Sequence, residues 1–337
     1  MLAAYYNGST KLHLQQVPLK ELKSDEVLIK IDSATICGTD LHILEGKFES
    51  KPPVVLGHEF SGYVEKYGEE VNGLKVGDLV TVEPHIYCGL CKYCRIGKPH
   101  LCLDRKAWGI NMDGGFSQYA VVRHDTVYKV PSFISPEEAA LAENVGCCMN
   151  GINRVDIKLG DTVVIIGGGA AGIILAQLAR LSGAAKIIVS EPSEYRRRFM
   201  ENRDIDIIVD PINESLEELV MNETEDLGAD VVIDSAGKKE TAKQCFDLAG
   251  RGARILFFGV VPPMELIQIE PNLIFRNELT VLGSIRNPFS HHQVVEIMPK
   301  LMLKELITHS IPLKNIDEAI HLAKKGAGLK VCIKPNE

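Results

Sequence analysis

The stretch "TVVIIGGGAAGIILAQLARL", residues 162–181, joins an apolar strand pattern to a glycine-rich turn and then to a helix pattern. Gly167, Gly169 and Gly172 have the G-x-G-x-x-G spacing. The first glycine allows a tight turn, the second lets a pyrophosphate approach the backbone, and the third lets helix and strand pack closely. The phosphates would then meet free N–H groups at the helix N-terminus. The stretch therefore predicts a dinucleotide site.

The end of the next strand pattern bears on which dinucleotide is bound. Glu191 follows that strand. A carboxylate at this place can accept hydrogen bonds from both hydroxyls of the adenosine ribose, and it would repel a 2′-phosphate, so the sequence favours NAD over NADP. The arginine run at 196–198 has two interpretations. It is either a solvated helix face or, through Arg196, a contributor to phosphate binding.

Strand and helix patterns alternate from residue 161 onward. Nearly continuous apolar strands in such alternation predict a parallel sheet covered by helices on both faces, and six strands complete a doubly wound fold. The predicted strands are 163–166, 187–189, 207–209, 231–233, 255–258 and 279–282, and helices are predicted at 171–181, 215–221 and 240–248.

The segments before and after this alternating region have different sequence patterns. Up to about residue 145, short strand patterns such as "EVLIKI" and "DLVTVEP" are separated by Gly, Pro and Asp turns. The patterns of the last 50 or so residues predict helices and one strand, the final "LKVCIK", which return to the first domain. We therefore predict an α/β fold with a β-rich domain of residues 1–146, completed by 284–337, and a dinucleotide-binding domain of residues 147–283.

Composition and charge exclude several classes of function. The net charge of the 337 residues is −8 and no basic stripe is present, so nucleic acid is not expected as a partner. No apolar run approaches the roughly 20 residues that a membrane helix needs. The N-terminus lacks a basic segment followed by a long apolar core, so no signal peptide is predicted and a cytoplasmic location is expected.

Four of the nine cysteines crowd into one short loop. In a reducing compartment such clustering indicates metal binding rather than cross-linking. Four thiolates with no open position describe a closed, tetrahedral structural zinc site. An iron–sulfur cluster usually has a tighter fourth spacing followed by proline, and it remains an alternative, as do four unrelated buried cysteines. The four residues are Cys88, Cys91, Cys94 and Cys102.

Other residues could form a second metal site. "GHEFSG" places His58 and Glu59 ahead of a strand pattern, and "CGTDLH" offers Cys37. Glu143 lies in an apolar, helix-like run, where a lone carboxylate needs a partner. A catalytic zinc needs about three protein ligands and one exchangeable position, so these groups could converge on one metal. Taken singly, Cys37 could be a core residue, His58 a satisfied buried histidine, and Glu143 a helix cap or a surface residue.

Several motifs together resemble a known family over most of the chain. "CGTDLH", "GHEFSG", the four-cysteine loop, "GGFSQYAVV" and "GGGAAG" follow one another as in the zinc-dependent medium-chain dehydrogenases. The resemblance implies a GroES-like catalytic domain, completed by the C-terminal segment, and a Rossmann domain. It also implies two zinc ions per chain, NAD, an alcohol or polyol substrate, and a homodimer or homotetramer.

The resemblance also implies roles for single residues. Cys37 and His58 correspond to ligands of the catalytic zinc, and Asp40 to the acid that holds the zinc-bound histidine. Glu59 is either a ligand or a near neighbour that exchanges with water. Glu143 stands where alcohol dehydrogenases place a second cysteine and where polyol and threonine dehydrogenases place a glutamate.

A route for the substrate proton follows from the same resemblance. A zinc ion acts as a Lewis acid and lowers the pKa of the substrate hydroxyl, and hydride passes from the carbinol carbon to NAD. The proton would leave through the Thr39 hydroxyl and the cofactor ribose to His42. A hydroxyl can donate and accept in turn, and an imidazole titrates near neutral pH.

The substrate is less clearly indicated. "GSIRNPF" places Arg286 where polyol dehydrogenases carry an arginine beside the substrate hydroxyls, although a surface arginine is the alternative. Trp108 is a candidate for lining the pocket. We expect a sorbitol dehydrogenase-like enzyme, with an L-threonine 3-dehydrogenase or a simple secondary alcohol dehydrogenase as alternatives. A non-catalytic relative that binds NAD and zinc is a remote alternative, because it would not need Thr39 and His42.

Overall fold

Two units of different architecture make up the chain in the computed structural model, which describes residues 1–201 and 203–337. The first unit comprises Met1–Gly146 with Pro288–Glu337, and the second comprises Cys147–Asn287. The strands are β1 (Leu2–Tyr6), β2 (Leu12–Gln16), β3 (Glu26–Thr35), β4 (Val54–Val55), β5 (Glu59–Tyr67), β6 (Leu79–Val82), β7 (His85–Ile86), β8 (Lys106–Ala107), β9 (Tyr119–Arg123), β10 (Val127–Lys129), β11 (Thr162–Ile166), β12 (Lys186–Ser190), β13 (Ile207–Val209), β14 (Ala229–Asp234), β15 (Ala249–Phe257), β16 (Thr280–Gly283), β17 (Ile307–Pro312) and β18 (Lys330–Lys334).

Helices are more frequent in the second unit and in the C-terminal return segment. None of the helices in residues 1–201 and 203–337 is both long and apolar enough to cross a bilayer. The α-helices are α1 (Gly38–Leu44), α2 (Lys92–Arg95), α3 (Pro136–Ala140), α4 (Ala142–Val155), α5 (Ala170–Leu181), α6 (Glu194–Met200), α7 (Leu216–Glu223), α8 (Lys239–Leu248), α9 (Pro271–Asn277), α10 (His291–Ile297) and α11 (Ile316–Lys325).

A largely antiparallel sheet forms the centre of the first unit, with strand order β10-β6-β5-β3-β18-β17 and with β9 also paired to β3. Alternate side chains of β3 face the core: Val27, Ile29 and Ile31 are fully buried, as the period of two predicts. At its C-terminal end β3 is buried on both faces. There it lies between β5 and β18, and Thr35 is the register partner of both Glu59 and Cys332.

The second unit is a six-stranded parallel sheet with the order β13-β12-β11-β14-β15-β16. This is the strand order of a complete doubly wound dinucleotide fold. The central β11 carries the three fully buried residues Val163, Val164 and Ile165, because both faces of the sheet are covered. The predicted fold class, a Rossmann sheet together with a β-rich antiparallel domain, is confirmed.

The bounds of individual elements differ from the sequence prediction at a few residues. Phe258 lies just beyond β15 and Leu279 just before β16. Ser215 was predicted as helical, but it is the N-cap of α7, since its side chain accepts a hydrogen bond from the Glu218 N–H. A serine hydroxyl stabilises a helix more as a cap than as an interior residue.

Glu83 is a buried acid directly after β6. It is 7% exposed, and its two carboxylate oxygens lie 3.5 Å from the Tyr87 hydroxyl and 3.4 Å from the Tyr128 hydroxyl. Burial raises the pKa of Glu83 to about 7, although the two tyrosine hydroxyls oppose the shift. The ionised carboxylate is therefore less stable in the folded protein than in the unfolded chain.

We expect Glu83→Gln to remove part of the pH dependence of stability. Because the folded pKa exceeds the unfolded one, the native state binds more protons between about pH 4.5 and 7, and stability falls as pH rises through that window. Above pH 7 the variant should be more stable by up to about 3 kcal/mol. Urea unfolding at pH 5 and pH 8 measures this, with exposed Glu65→Gln as the control. If the free energy of unfolding changed between pH 5 and pH 8 as much in Glu83→Gln as in the wild type, the assignment would be contradicted.

Candidate metal and cofactor sites

The four-cysteine loop brings its sulfur atoms together. Cys91 Sγ and Cys94 Sγ are 3.6 Å apart, and Cys88 Sγ and Cys94 Sγ are 4.0 Å apart. A tetrahedral zinc with Zn–S bonds of about 2.3 Å requires sulfur–sulfur edges of about 3.8 Å. All four ligand atoms, including that of Cys102, lie within 4.8 Å of one another. The donor set therefore fits a closed zinc site.

The local backbone prepares this loop for metal binding. Cys91 is the N-cap of the short helix α2, and backbone N–H groups lower the pKa of its thiol to about 6. Its own N–H points to Cys88 Sγ at 3.3 Å, while the Cys88 N–H points to Cys102 Sγ at 3.4 Å. Because thiolates are the metal-binding form, these N–H groups favour a metal at Cys91, whereas burial and the neighbouring thiols raise the pKa of Cys94 to about 12, so its thiolate depends on the metal itself.

A second group of ligand atoms lies in the first unit. Cys37 is the N-cap of α1, Glu59 begins β5, and His58 precedes it. The ligand atoms of these three residues lie within 4.8 Å of one another. His58 is 3% exposed and Glu59 is fully buried. One thiolate, one imidazole and one carboxylate form a donor set that suits zinc and leaves room for an exchangeable ligand.

Asp40 orients two of these residues. It is fully buried, and its Oδ2 accepts the Cys37 N–H at 2.9 Å, while its Oδ1 lies 3.4 Å from His58 Nδ1. A histidine whose Nδ1 faces a carboxylate presents Nε2 to a metal. Burial opposes a positive charge on His58, but Asp40 and Cys37 outweigh it and raise the pKa of His58 well above its usual value. The same negative surroundings attract a metal cation.

Glu59 has a partner that sequence reasoning missed. Both of its oxygens accept hydrogen bonds from Lys330 Nζ, at 2.7 and 2.5 Å, and the Thr35 hydroxyl also donates to Oε2. Lys330 begins β18 and its side chain is only 6% exposed. Burial would lower the pKa of Lys330, but Glu59 and Cys37 raise it above its usual value, so the pair is ionic.

The other residues predicted for this site lie outside the group formed by Cys37, His58 and Glu59. Thr39 Oγ1 is 3.8 Å from Cys37 Sγ, and His42 follows three residues later on α1 with its side chain half-buried. Glu143, near the N-terminus of α4, is buried but lies outside the tight group that could hold a metal. Trp108 is 5% exposed and packs into the hydrophobic core of the first unit.

The glycine-rich turn has the geometry of a phosphate site. Gly167 has a φ of +107°, a left-handed conformation that favours glycine. A Cβ on Gly172 would lie 1.9 Å from the Gly167 carbonyl oxygen, so only glycine allows this approach of helix and strand. A Cβ on Gly169, the N-cap of α5, would meet only the Arg196 guanidinium, at 3.8 Å. The turn is therefore open where a pyrophosphate would approach the helix N-terminus.

Glu191 belongs to the same turn. It is 3% exposed, and its carboxylate accepts the Gly168 N–H and the Ser193 N–H, both at 2.9 Å. Arg196 Nη1 lies 3.7 Å from Glu191 Oε2. The acid is therefore held against the glycine turn and is partly neutralised by a neighbouring guanidinium. An acid at the end of the second strand is the usual partner of the adenosine ribose in this fold, so Glu191 stays the predicted ribose ligand.

Arg286 lies after β16 in a left-handed backbone conformation, with a φ of +60°. The side-chain amide of Asn150, on α4, donates toward the carbonyl oxygens of Ile285 and Arg286 and toward the Ser284 hydroxyl, at 3.3, 2.9 and 3.0 Å. Asn150 was not identified from the sequence. It stabilises a conformation that is uncommon for a residue other than glycine.

The sequence of the last strand, β18, contains a signal for the ion pairs of its two buried lysines. "LKVCIK" was recognised as a strand, yet the two lysines in this apolar run carried a signal of their own. A lysine inside a buried strand needs an acidic partner. Lys330 pairs with Glu59, and Lys334 Nζ lies 2.8 Å from Asp32 Oδ1. The strand pattern could have revealed that both were paired, but not with which acids.

Comparison with known proteins shows the family. The model of the alcohol dehydrogenase GroES-like domain matches residues 23–132, and that of the zinc-binding dehydrogenases matches residues 170–304. The chain is 33% identical to sorbitol dehydrogenase of Halalkalibacterium halodurans, over 98% of this chain and 97% of that protein. It is 36% identical to L-threonine 3-dehydrogenase of Pyrococcus abyssi, over 94% and 93%.

A solved structure agrees with these matches. A zinc-binding dehydrogenase from Sinorhizobium meliloti 1021, bound to NADP, superposes with a TM-score of 0.96 at 36% identity and covers 99% of each chain. The chain therefore belongs to the zinc-containing medium-chain alcohol dehydrogenase family. Within that family it is a zinc-dependent NAD(P) dehydrogenase that acts on CH–OH donors.

We expect about two zinc ions per chain, one for each donor set. Cys91→Ser and Cys37→Ser should each lose about one zinc, and the double variant should lose both, because the two sets share no ligand. Elemental analysis of protein purified with zinc and without chelator measures this. Iron in place of zinc, or an unchanged metal content in Cys91→Ser, would contradict the prediction.

Proposed function

We propose that the protein oxidises a secondary hydroxyl of a polyol with NAD as the hydride acceptor. The observation that carries this proposal is the carboxylate-rich environment of the metal group. Glu59 belongs to the group, and Glu143 is a second buried acid whose charge acts on Lys330. Polar, acceptor-rich surroundings suit a substrate with several hydroxyls better than a simple alkyl alcohol.

The relatives are consistent with a polyol. Besides sorbitol dehydrogenase, the chain is 28% identical to D-arabinitol dehydrogenase 1 of Uromyces fabae, over 100% of this chain. L-Threonine is the second candidate, because several threonine dehydrogenases are 33–36% identical. Arg286 is compatible with both, since a guanidinium can bind hydroxyls or a carboxylate.

Residues of the first unit would bind the metal, orient its histidine ligand and accept the substrate proton. Cys37 and His58 would hold the zinc, with Glu59 or Glu143 as a further acid, and Asp40 would keep the His58 ring oriented. A bound zinc would supply Lewis acidity toward the substrate hydroxyl. Thr39 Oγ1 lies beside Cys37 Sγ, so its hydroxyl can accept a proton from a group bound at that position and donate its own.

The outer end of the proton route would be His42. Residues three apart lie on the same face of a helix, so Thr39 and His42 line one side of α1. His42 is half-buried, and its Nδ1 has no hydrogen-bond partner among the residues that the structure describes. An imidazole on the same helix face as the Thr39 hydroxyl can accept a proton and pass it outward.

The cofactor preference rests on Glu191 and Arg196. The carboxylate of Glu191 would bind the ribose hydroxyls of NAD, whereas the nearby guanidinium would reduce its repulsion of a 2′-phosphate. The relative from Sinorhizobium meliloti was solved with NADP, which is consistent with such tolerance in a similar chain. We therefore propose that NAD is preferred and that NADP is used less efficiently.

We also propose a homodimer formed through the second unit. β16 is one of the two edge strands of the parallel sheet, the other being β13, and an edge of this kind can pair with a second copy. Apolar side chains nearby are exposed: Leu266 by 85%, Phe275 by 80% and Val281 by 39%. Sedimentation velocity tests this proposal. Val281→Lys should shift the protein toward monomer, and a monomeric wild type would contradict it.

The decisive test of function is a substrate panel. D-Sorbitol, D-arabinitol, L-threonine and 2,3-butanediol are each offered with NAD and with NADP at equal concentration, and reduced nicotinamide is followed by absorbance. We expect the highest kcat/KM with a polyol and NAD, and loss of that activity in Cys37→Ser. Faster turnover of L-threonine would replace the polyol by the second candidate. A preference for NADP would show that Arg196 outweighs Glu191.

We expect Thr39→Val to reduce turnover by about 10²–10⁴-fold, the usual range for a general acid–base group. Thr39→Ser keeps the hydroxyl and should retain most activity. His42→Gln should be milder, since water can replace the outer end of the route. Zinc content is measured in parallel. Near-full activity of Thr39→Val with zinc intact would show that the proton leaves by another route.

A further inference from the structure

Lys330 is the only cationic side chain that the described residues place on the carboxylate of Glu59. Both Glu59 oxygens accept hydrogen bonds from its Nζ, the Thr35 hydroxyl adds a third bond, and the Asn144 amide adds a fourth, longer one at 3.4 Å. A carboxylate has about four acceptor positions, so most of the capacity of Glu59 is used before any metal binds. Glu59 is nevertheless one of the three residues whose ligand atoms cluster within 4.8 Å.

The geometry of this pair is set by the sheet. β5, β3 and β18 are adjacent strands, with Thr35 as the register partner of Glu59 on one side and of Cys332 on the other. Lys330 lies on the same strand as Cys332, two residues earlier. Because backbone pairing holds all three strands, the ammonium group reaches Glu59 from a rigid element rather than from a mobile loop.

The ammonium group and a metal ion would compete for Glu59. Both are cations, and both would lie against the same buried carboxylate, where water screens their repulsion poorly. If a metal took Glu59 as a full ligand, it would have to share or displace the bonds from Lys330. Cys37 and His58 instead face the anionic Asp40, which accepts the Cys37 N–H and lies 3.4 Å from His58 Nδ1.

We propose that Lys330 is a positioning residue that keeps Glu59 beside the metal rather than bound to it, and that it thereby sets the rate at which the site releases zinc. The inference rests on the proposed function in one respect, the presence of zinc at Cys37 and His58 with Glu143 rather than Glu59 as the further acid. It assigns to Lys330 the control of an open ligand position, which a substrate hydroxyl needs.

The proposal makes an unusual prediction for a buried ion pair. Lys330→Met removes the charge but keeps most of the aliphatic stem. Glu59 is then left buried with only the neutral donors Thr35 and Asn144, and the metal becomes its best remaining partner. Zinc should therefore leave more slowly, by roughly tenfold, the lower end of the effect that neighbours of metal ligands usually have on affinity. Loss of a merely structural contact would instead leave release unchanged or make it faster.

The experiment follows zinc release from the full-length, zinc-loaded protein into an excess of the chromogenic chelator 4-(2-pyridylazo)resorcinol. Zinc release from the wild type should have two kinetic phases. Cys37→Ser should retain only the phase of the four-cysteine loop, which assigns the other phase to the Cys37 and His58 site. We expect Lys330→Arg to stay near the wild-type rate because it restores the charge, and exposed Lys325→Met to have no effect. Lys330→Met combined with Glu59→Gln should lose the slow release.

Release at the wild-type rate or faster in Lys330→Met would overturn the proposal. Glu59→Gln provides a second test if Lys330→Met does not fold: its release rate should stay near wild type, and a much faster rate would make Glu59 a resident ligand and overturn the proposal as well. A wild type with only the four-cysteine phase would instead remove the metal premise of the proposed function. The two failures are therefore distinguishable.

Discussion

The buried pair of Glu59 and Lys330 is the interaction on which the first unit depends. It joins the start of β5 to the start of the C-terminal strand β18, across β3, and both side chains are almost fully buried. Breaking such a pair leaves an uncompensated charge in a low dielectric, which is far more costly than losing a surface contact. The return of the chain after the second unit is therefore required for the metal group, because it supplies the cation beside one of its acids.

The two candidate metal sites differ in the polar and charged groups that surround them. The four-cysteine loop has thiolates prepared by local N–H groups and has no open position, which suits a structural ion. The Cys37 and His58 group has instead an oriented histidine, one acid held by a lysine, and a hydroxyl beside the thiolate. Such an arrangement is suited to exchange a ligand. The second unit contributes a glycine turn that is closed by Gly172 and bordered by Glu191 and Arg196.

The sequence by itself determined the features whose residues are neighbours in the chain. The glycine turn, with a strand before it and a helix after it, predicted the parallel sheet that is observed, because each glycine meets a local steric demand. The four-cysteine loop was predicted from spacing alone, since four ligands within one short loop need no other segment to meet. Cys37 and His58 were recognisable because their motifs are short and occur together in one order.

Only the tertiary structure decided which distant residues meet. Lys330 and Glu59 are 271 positions apart, and nothing in the strand pattern "LKVCIK" specifies that β18 pairs with β3 or in which register. The same holds for Asn150 and the backbone of Arg286, and for Glu143, which lies outside the tight ligand group. Periodicity tells which side of a strand is buried, but it does not identify the residues that are buried beside it. That choice follows from strand order and register, which arise only when the chain packs as a whole.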